Sequence, residues 1–210
     1  MDRDSSLKQL ALIVAGLSIG LLAAPVSHAA DVASIAEQCA ACHGKDGASK
    51  ESTVPSIGGF SATYLVDSMK TYKKKERPCV ETKYLEGPKK GQKSDMCKVA
   101  ADLNAADTQA VAKYLAGKKF VRAKQPFDAA KAQQGKNVHN TECKKCHEKG
   151  GSSADDDAGI LAGQWAHYLK EQFVIFRAGK RPMDEKMKPK LEKLSKEDED
   201  ALVHYYASQQ

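Results

Sequence analysis

The pattern C-x-x-C-H occurs twice in this chain, as CAACH over Cys39–His43 and as CKKCH over Cys143–His147. Two thiols three residues apart lie one turn apart on a helix, and the histidine that follows falls on the same side. Three chemistries use such spacing: half of a zinc site, a redox-active disulfide, and covalent attachment of haem. A zinc site needs further ligands at similarly tight spacing. Outside the motifs the histidines are His28, His139, His167 and His204, and none stands in a second knuckle. A thioredoxin-like disulfide needs a βαβ context, which the sequence lacks. Haem remains. Cys39 with Cys42, and Cys143 with Cys146, are expected to form thioethers to the vinyl groups of two haem c, with His43 and His147 reaching the irons from the proximal side.

The rest of the chain repeats around these motifs. At the 104-residue offset that separates Cys39 from Cys143, "GFSATYLVDSMKTYKKKERP" from Gly59 falls on "GQWAHYLKEQFVIFRAGKRP" from Gly163. Gly59 meets Gly163, Tyr64 meets Tyr168, Tyr72 meets Phe176, and Arg77 meets Arg181. Beyond the proline the offset drops to 91, so that Met96 meets Met187 and "AKYLA" meets "VHYYA". The first half therefore holds 13 extra residues, bracketed by Cys79 and Cys97. Self-similarity of this extent marks a duplicated domain. The expected organisation is a first domain over 30–118 with its insertion at 79–97, a linker over 119–127 and a second domain over 128–210. Apolar residues recur at helical spacing (Tyr64, Leu65, Met69, Tyr72; Tyr168, Leu169, Phe173, Phe176), and Asn104 with Asp107 and Ser195 with Asp198 start the last helix of each half. Long period-two alternation is missing, so the expected fold is all-α, in two tandem domains related by the duplication.

A six-coordinate iron needs a ligand opposite the histidine, and methionine sulfur favours the ferrous state. Met96 and Met187 align in the repeat, and each precedes a leucine (Leu103, Leu194) at the start of the final helix by seven residues. They are the expected axial ligands. Met69 lies on an apolar stripe and reads as core. Met183 aligns with Cys79 and is the runner-up for the second iron. His139 lies one turn before Cys143, on the proximal side, and His167 and His204 read as helix-face residues. Cys79 and Cys97 are expected to form a disulfide, in preference to metal binding or reactive thiols, and so to hold Met96 in place.

The N-terminus sets the compartment. Leu10–Ala24 is an unbroken apolar run, followed by "PVSHAAD", with Ser27 and Ala29 at the small positions of an export cleavage site. Residues 1–29 are expected to be a cleaved signal peptide, because the run is short for a retained span. Export to the periplasm permits both disulfide and haem attachment. The formal net charge of +6 comes without a basic stripe interleaved with aromatics, so nucleic-acid binding is not expected. No membrane span is expected in the mature chain.

With these motifs in tandem, each half ending in methionine, seven residues and a final helix, the chain resembles the periplasmic dihaem cytochromes of the c-four type. Its C-terminal half is closer still to the dihaem subunit of flavocytochrome c–sulfide dehydrogenase, on "AKQPFDAA", "ECKKCHEKGG", "ILAGQWAHYL", "KRPMDEKMKPKL" and "YYASQQ". That resemblance implies an all-α fold of two tandem class I cytochrome c domains, and electron transfer with a sulfide-oxidising flavoprotein as the donor and no catalysis by the chain alone. A free carrier delivering electrons to a terminal oxidase is the alternative. A peroxidase-like site with an open iron, and a module that delivers haem or metal, are further ones. Two features depart from the pattern. The cysteine-flanked insertion is foreign to that subunit. Pro55 stands where small cytochromes orient the proximal histidine through a proline carbonyl, but the second half has Gly159 at that offset, so its histidine is expected to use another carbonyl.

Overall fold

The computed structural model describes residues 31–210; the export segment and its cleavage site lie outside them. The first domain contains α1 (Val32–His43), α2 (Ala62–Lys73), a two-strand hairpin of β1 (Thr82–Lys83) and β2 (Lys93–Ser94), α3 (Met96–Asp102) and α4 (Ala105–Ala116). The second contains α5 (Ala129–Val138), a π-helical segment over His139–Cys143, the short helical turn α6 (Glu148–Gly151), α7 (Ala166–Arg177), α8 (Lys188–Lys193) and α9 (Lys196–Ala207). The fold is all-α, as expected, and the strands lie entirely within the insertion.

Local chemistry sets the helix starts. Asp31, Ser61, Asp95, Asn104, Asp128 and Ser195 each accept an amide from the first turn of the helix that follows, satisfying donors that the helix cannot. At Ser195 the bond is reciprocal, with Asp198 accepting the Ser195 amide. In each domain the first and last helices cross. Gly135 on α5 is required there, because a Cβ would stand 2.0 Å from the Ala201 carbonyl oxygen of α9.

The duplication is visible in the backbone bonds. Gly47 O accepts from Ile57 and Gly58 in the first domain; Gly151 O accepts from Leu161 and Ala162 in the second. Gly59 N donates to Leu115 O, and its counterpart Gly163 N donates to Tyr206 O. Leu65, Val111 and Leu115 build the first core, Leu169, Leu202 and Val203 the second. Ile160 of the second half packs into the first core, so the domains share apolar surface. Gln164 joins them further. It is fully buried, accepts the Ser56 amide at 3.0 Å and donates to the Ser56 carbonyl at 2.9 Å.

Candidate functional site

In the first domain the C-x-x-C-H segment is the last turn of α1. His43 ends the helix and is buried. Its Nδ1 lies 2.8 Å from the Pro55 carbonyl oxygen, so that nitrogen carries the proton and Nε2 keeps its lone pair. Burial lowers the His43 pKa, against the opposing pull of the Pro55 carbonyl, and the ring stays neutral, as a metal ligand must be. Cys39, Cys42 and His43 line one wall of a cavity of about 410 Å³. Phe60, Leu65, Val111 and Leu115 make it apolar, and Met96 and Met69 both face it. Burial first, then the neighbouring Cys42, pushes the Cys39 thiol up to about 11.

The second motif is built differently. The α-helix gives way to a π segment in which Lys144 N bonds back to His139 O, while the Thr141 hydroxyl takes the Asn137 carbonyl. His139 is 1% exposed and its Nδ1 meets the Tyr206 hydroxyl at 3.0 Å, which keeps it in the core and away from the distal side. Cys143 is pushed up to about 11, chiefly by burial. The Gly159 carbonyl acts on the His147 ring against the effect of burial, although Nδ1 makes no bond of ordinary geometry. Among the described residues no carbonyl accepts from His147 Nδ1, so the contact that Pro55 makes in the first half has no formed counterpart in the second. Met187 caps α8. One turn on, Lys190 pairs with Glu142 at 2.9 Å and ties that helix to the motif segment.

Cys79 and Cys97 are joined in a disulfide, which seats Met96 beside a fixed point on the cavity wall. Of the other histidines, His167 is exposed at the cavity mouth and His204 accepts the Asp128 amide.

One feature escaped the sequence reading. Arg77 and Arg181, partners in the repeat, meet near the domain junction. Arg77 is 6% exposed and lies over the Tyr72 ring. Arg181 lies over the Phe176 ring and donates to the Tyr64 hydroxyl at 2.9 Å. Burial raises the Tyr64 pKa, but the charges of Arg181 and Arg77 outweigh it and leave the net shift downward. Among the described residues neither guanidinium has a carboxylate within 4 Å. Arg77 is buried and Arg181 half-buried, and like charges brought together in such surroundings call for anionic partners. Haem carries two carboxylates and two vinyl groups, so the arginines, the neutral histidine, the paired cysteines and the apolar cavity all fit it. The signal was present in the repeat, since Tyr64/Tyr168 and Arg77/Arg181 are identical pairs.

Comparison with known proteins supplies the family. Residues 29–119 match the family described as cytochrome c, and residues 130–205 match that described as cytochrome c oxidase, cbb3-type, subunit III. Cytochrome c4 of Stutzerimonas stutzeri is 30% identical over 181 residues, covering 80% of this chain and 82% of the relative. Cytochrome c4 of Pseudomonas aeruginosa is 28% identical over 182 residues, covering 80% and 81%. The crystal structure of reduced cytochrome c4 from Pseudomonas stutzeri superposes with a TM-score of 0.66 at 27% identity, covering 85% of this chain and 98% of that one.

Proposed function

Since this chain belongs to the cytochrome c4 family of dihaem electron carriers, we propose that it works in the periplasm as the haem subunit that takes electrons from a sulfide-oxidising flavoprotein. Two covalently bound haem c supply a ferric/ferrous couple at each site. Cys39 and Cys42 hold the first, with His43 and Met96 on its iron. Cys143 and Cys146 hold the second, with His147 and Met187. With His43 and Met96, and His147 and Met187, as ligands, the bound haems would leave no open position for substrate. The Pro55 carbonyl fixes the His43 ring and its tautomer. The apolar wall excludes water, and Arg77 and Arg181 offset the haem carboxylates.

The joint between the domains carries this reading. Gln125 donates to Gln164 O at 2.8 Å and accepts the Ala166 amide at 2.8 Å, while the Trp165 indole donates to Ser49 O at 3.2 Å. Gln125 belongs to "AKQPFDAA", and Gln164 and Trp165 belong to "ILAGQWAHYL". The stretches that resemble the sulfide dehydrogenase subunit are thus the ones that lock the two sites into one relay. Tagged protein isolated from its native host at low salt should bring down a larger flavin-containing protein, which should reduce the haems when given sulfide. Coverage of 82% and 81% of the two cytochrome c4 relatives favours a second reading, a free carrier supplying a terminal oxidase. Recovery as a lone dihaem chain that no sulfide-fed flavoprotein reduces would establish that second reading.

A further inference from the structure

The two C-x-x-C-H segments share a pattern but not a surface. Over the first, the disulfide-bracketed insertion folds back onto the motif. Leu85 N and Glu86 N donate to Ala41 O at 2.7 and 3.1 Å, and Ala41 stands between the two cysteines. The Lys83 carbonyl oxygen lies 3.9 Å from the Cys42 sulfur. Thr82 and Tyr84 extend the cavity wall, and the hairpin closes on itself through Tyr84 N to Gln92 O and Gly91 N to Tyr84 O.

The second half lacks these residues, and its motif opens to solvent. Cys146 is exposed, and so are Lys144 and Lys145. They replace Ala40 and Ala41 of the first motif, and among the described residues neither has a carboxylate within 4 Å. Lys190 stands at the same edge on Glu142, and Lys193 adds its charge there. Glu148 is the exposed acid beside them.

Electron tunnelling falls steeply with distance, so a layer of backbone over a thioether edge removes that edge as a route between proteins. We infer that the stapled hairpin closes the first haem edge to partner proteins, and that intermolecular electron exchange runs through the edge at Cys146, where Lys144 and Lys145 receive a partner with an acidic surface. The inference rests on the haem placement proposed above. The hairpin has exposed lysines of its own at Lys83, Lys89 and Lys90. They sit on the covering layer, so a partner held by them stays farther from the iron.

An acidic plastocyanin serves as the probe. One electron leaves the reduced cytochrome and converts Cu(II) to Cu(I), with no proton moved. Amide NMR shifts of the holoprotein, titrated at low salt with cadmium-substituted plastocyanin, should change around Lys144–Glu148 and spare residues 82–94. The K144E/K145E variant should slow the second-order oxidation by the copper protein about tenfold or more. K89E/K90E should leave it near the parent rate. Shifts centred on 82–94, shifts missing from Lys144–Glu148, or slowing by K89E/K90E in place of K144E/K145E would each overturn the inference. A pyridine haemochrome assay on every variant separates this from failure of the haem assignment, which would show as fewer than two haems per chain.

Discussion

Met96 and Met187 hold matched places in the repeat but are secured differently. Met96 stands between Asp95, which caps α3, and Cys97, which is buried in a disulfide. Met187 is held through α8 and the Lys190–Glu142 pair. Each variant, Met96→Ala and Met187→Ala, should remove one haem's share of the far-red thioether-to-iron band. Met69→Ala, which alters the other methionine on the cavity, should leave that band whole, and its loss would reassign the first ligand. His139 gives a pH dependence. Burial, then the charges of His147 and Lys144, holds its pKa down to about 4 from 6.5. Between those values the unfolded chain binds a proton that the folded one refuses, so stability is full above about 6.5 and falls as pH drops toward 4. Urea titrations at several pH values should show this slope, flattened in His139→Asn; an unchanged slope would place its origin elsewhere. The motif residues were legible because covalent haem attachment dictates residue type and spacing. The clustering of the two arginines was not, because an arginine in a sequence reads as surface charge until tertiary packing gathers it in.

The insertion is the element that distinguishes the first domain from the second. Its disulfide closes a loop over a sequence separation of 18, which on chain-entropy grounds contributes about 3 kcal/mol. The bonds from Leu85 and Glu86 to Ala41 then carry its effect to the haem motif. A Cys79→Ser, Cys97→Ser variant should lose up to about 3 kcal/mol in denaturant titration, and Met96 ligation should fail before Met187 ligation. Simultaneous loss at both irons would show that the staple does not act locally. The existence and length of the insertion were legible from the slip in repeat offset. Its position was not, because amide-to-carbonyl bonds leave no side-chain signature. The π segment was equally hidden. There the Lys144 amide bonds back to the His139 carbonyl and the Thr141 hydroxyl to that of Asn137, whereas periodicity alone draws that stretch as a continuous helix.

At the scale of the molecule, the two halves meet through the Gln164–Ser56 clamp and the tyrosine–arginine cluster. The duplication predicted that equivalent residues would exist in both halves. It gave no indication that Arg77 and Arg181 would come together, since pairing between domains depends on how the linker lets them pack. Their charge has a definite consequence for electron transfer. A guanidinium near an iron disfavours the more positive oxidised state, and the half-burial of Arg181 reduces its screening by solvent. Replacing Arg181 by Met keeps much of the side-chain bulk and removes that charge. The haem carboxylates then also lose a cation, and both changes favour ferric iron. Redox titration of the Arg181→Met protein should therefore show lower midpoint potentials than the parent, while the haem count stays at two and the far-red band is retained. A potential that stays constant or rises with both ligand sets intact would mean that the arginine faces no haem carboxylate, and that the cluster serves only to bind the two domains through Tyr64.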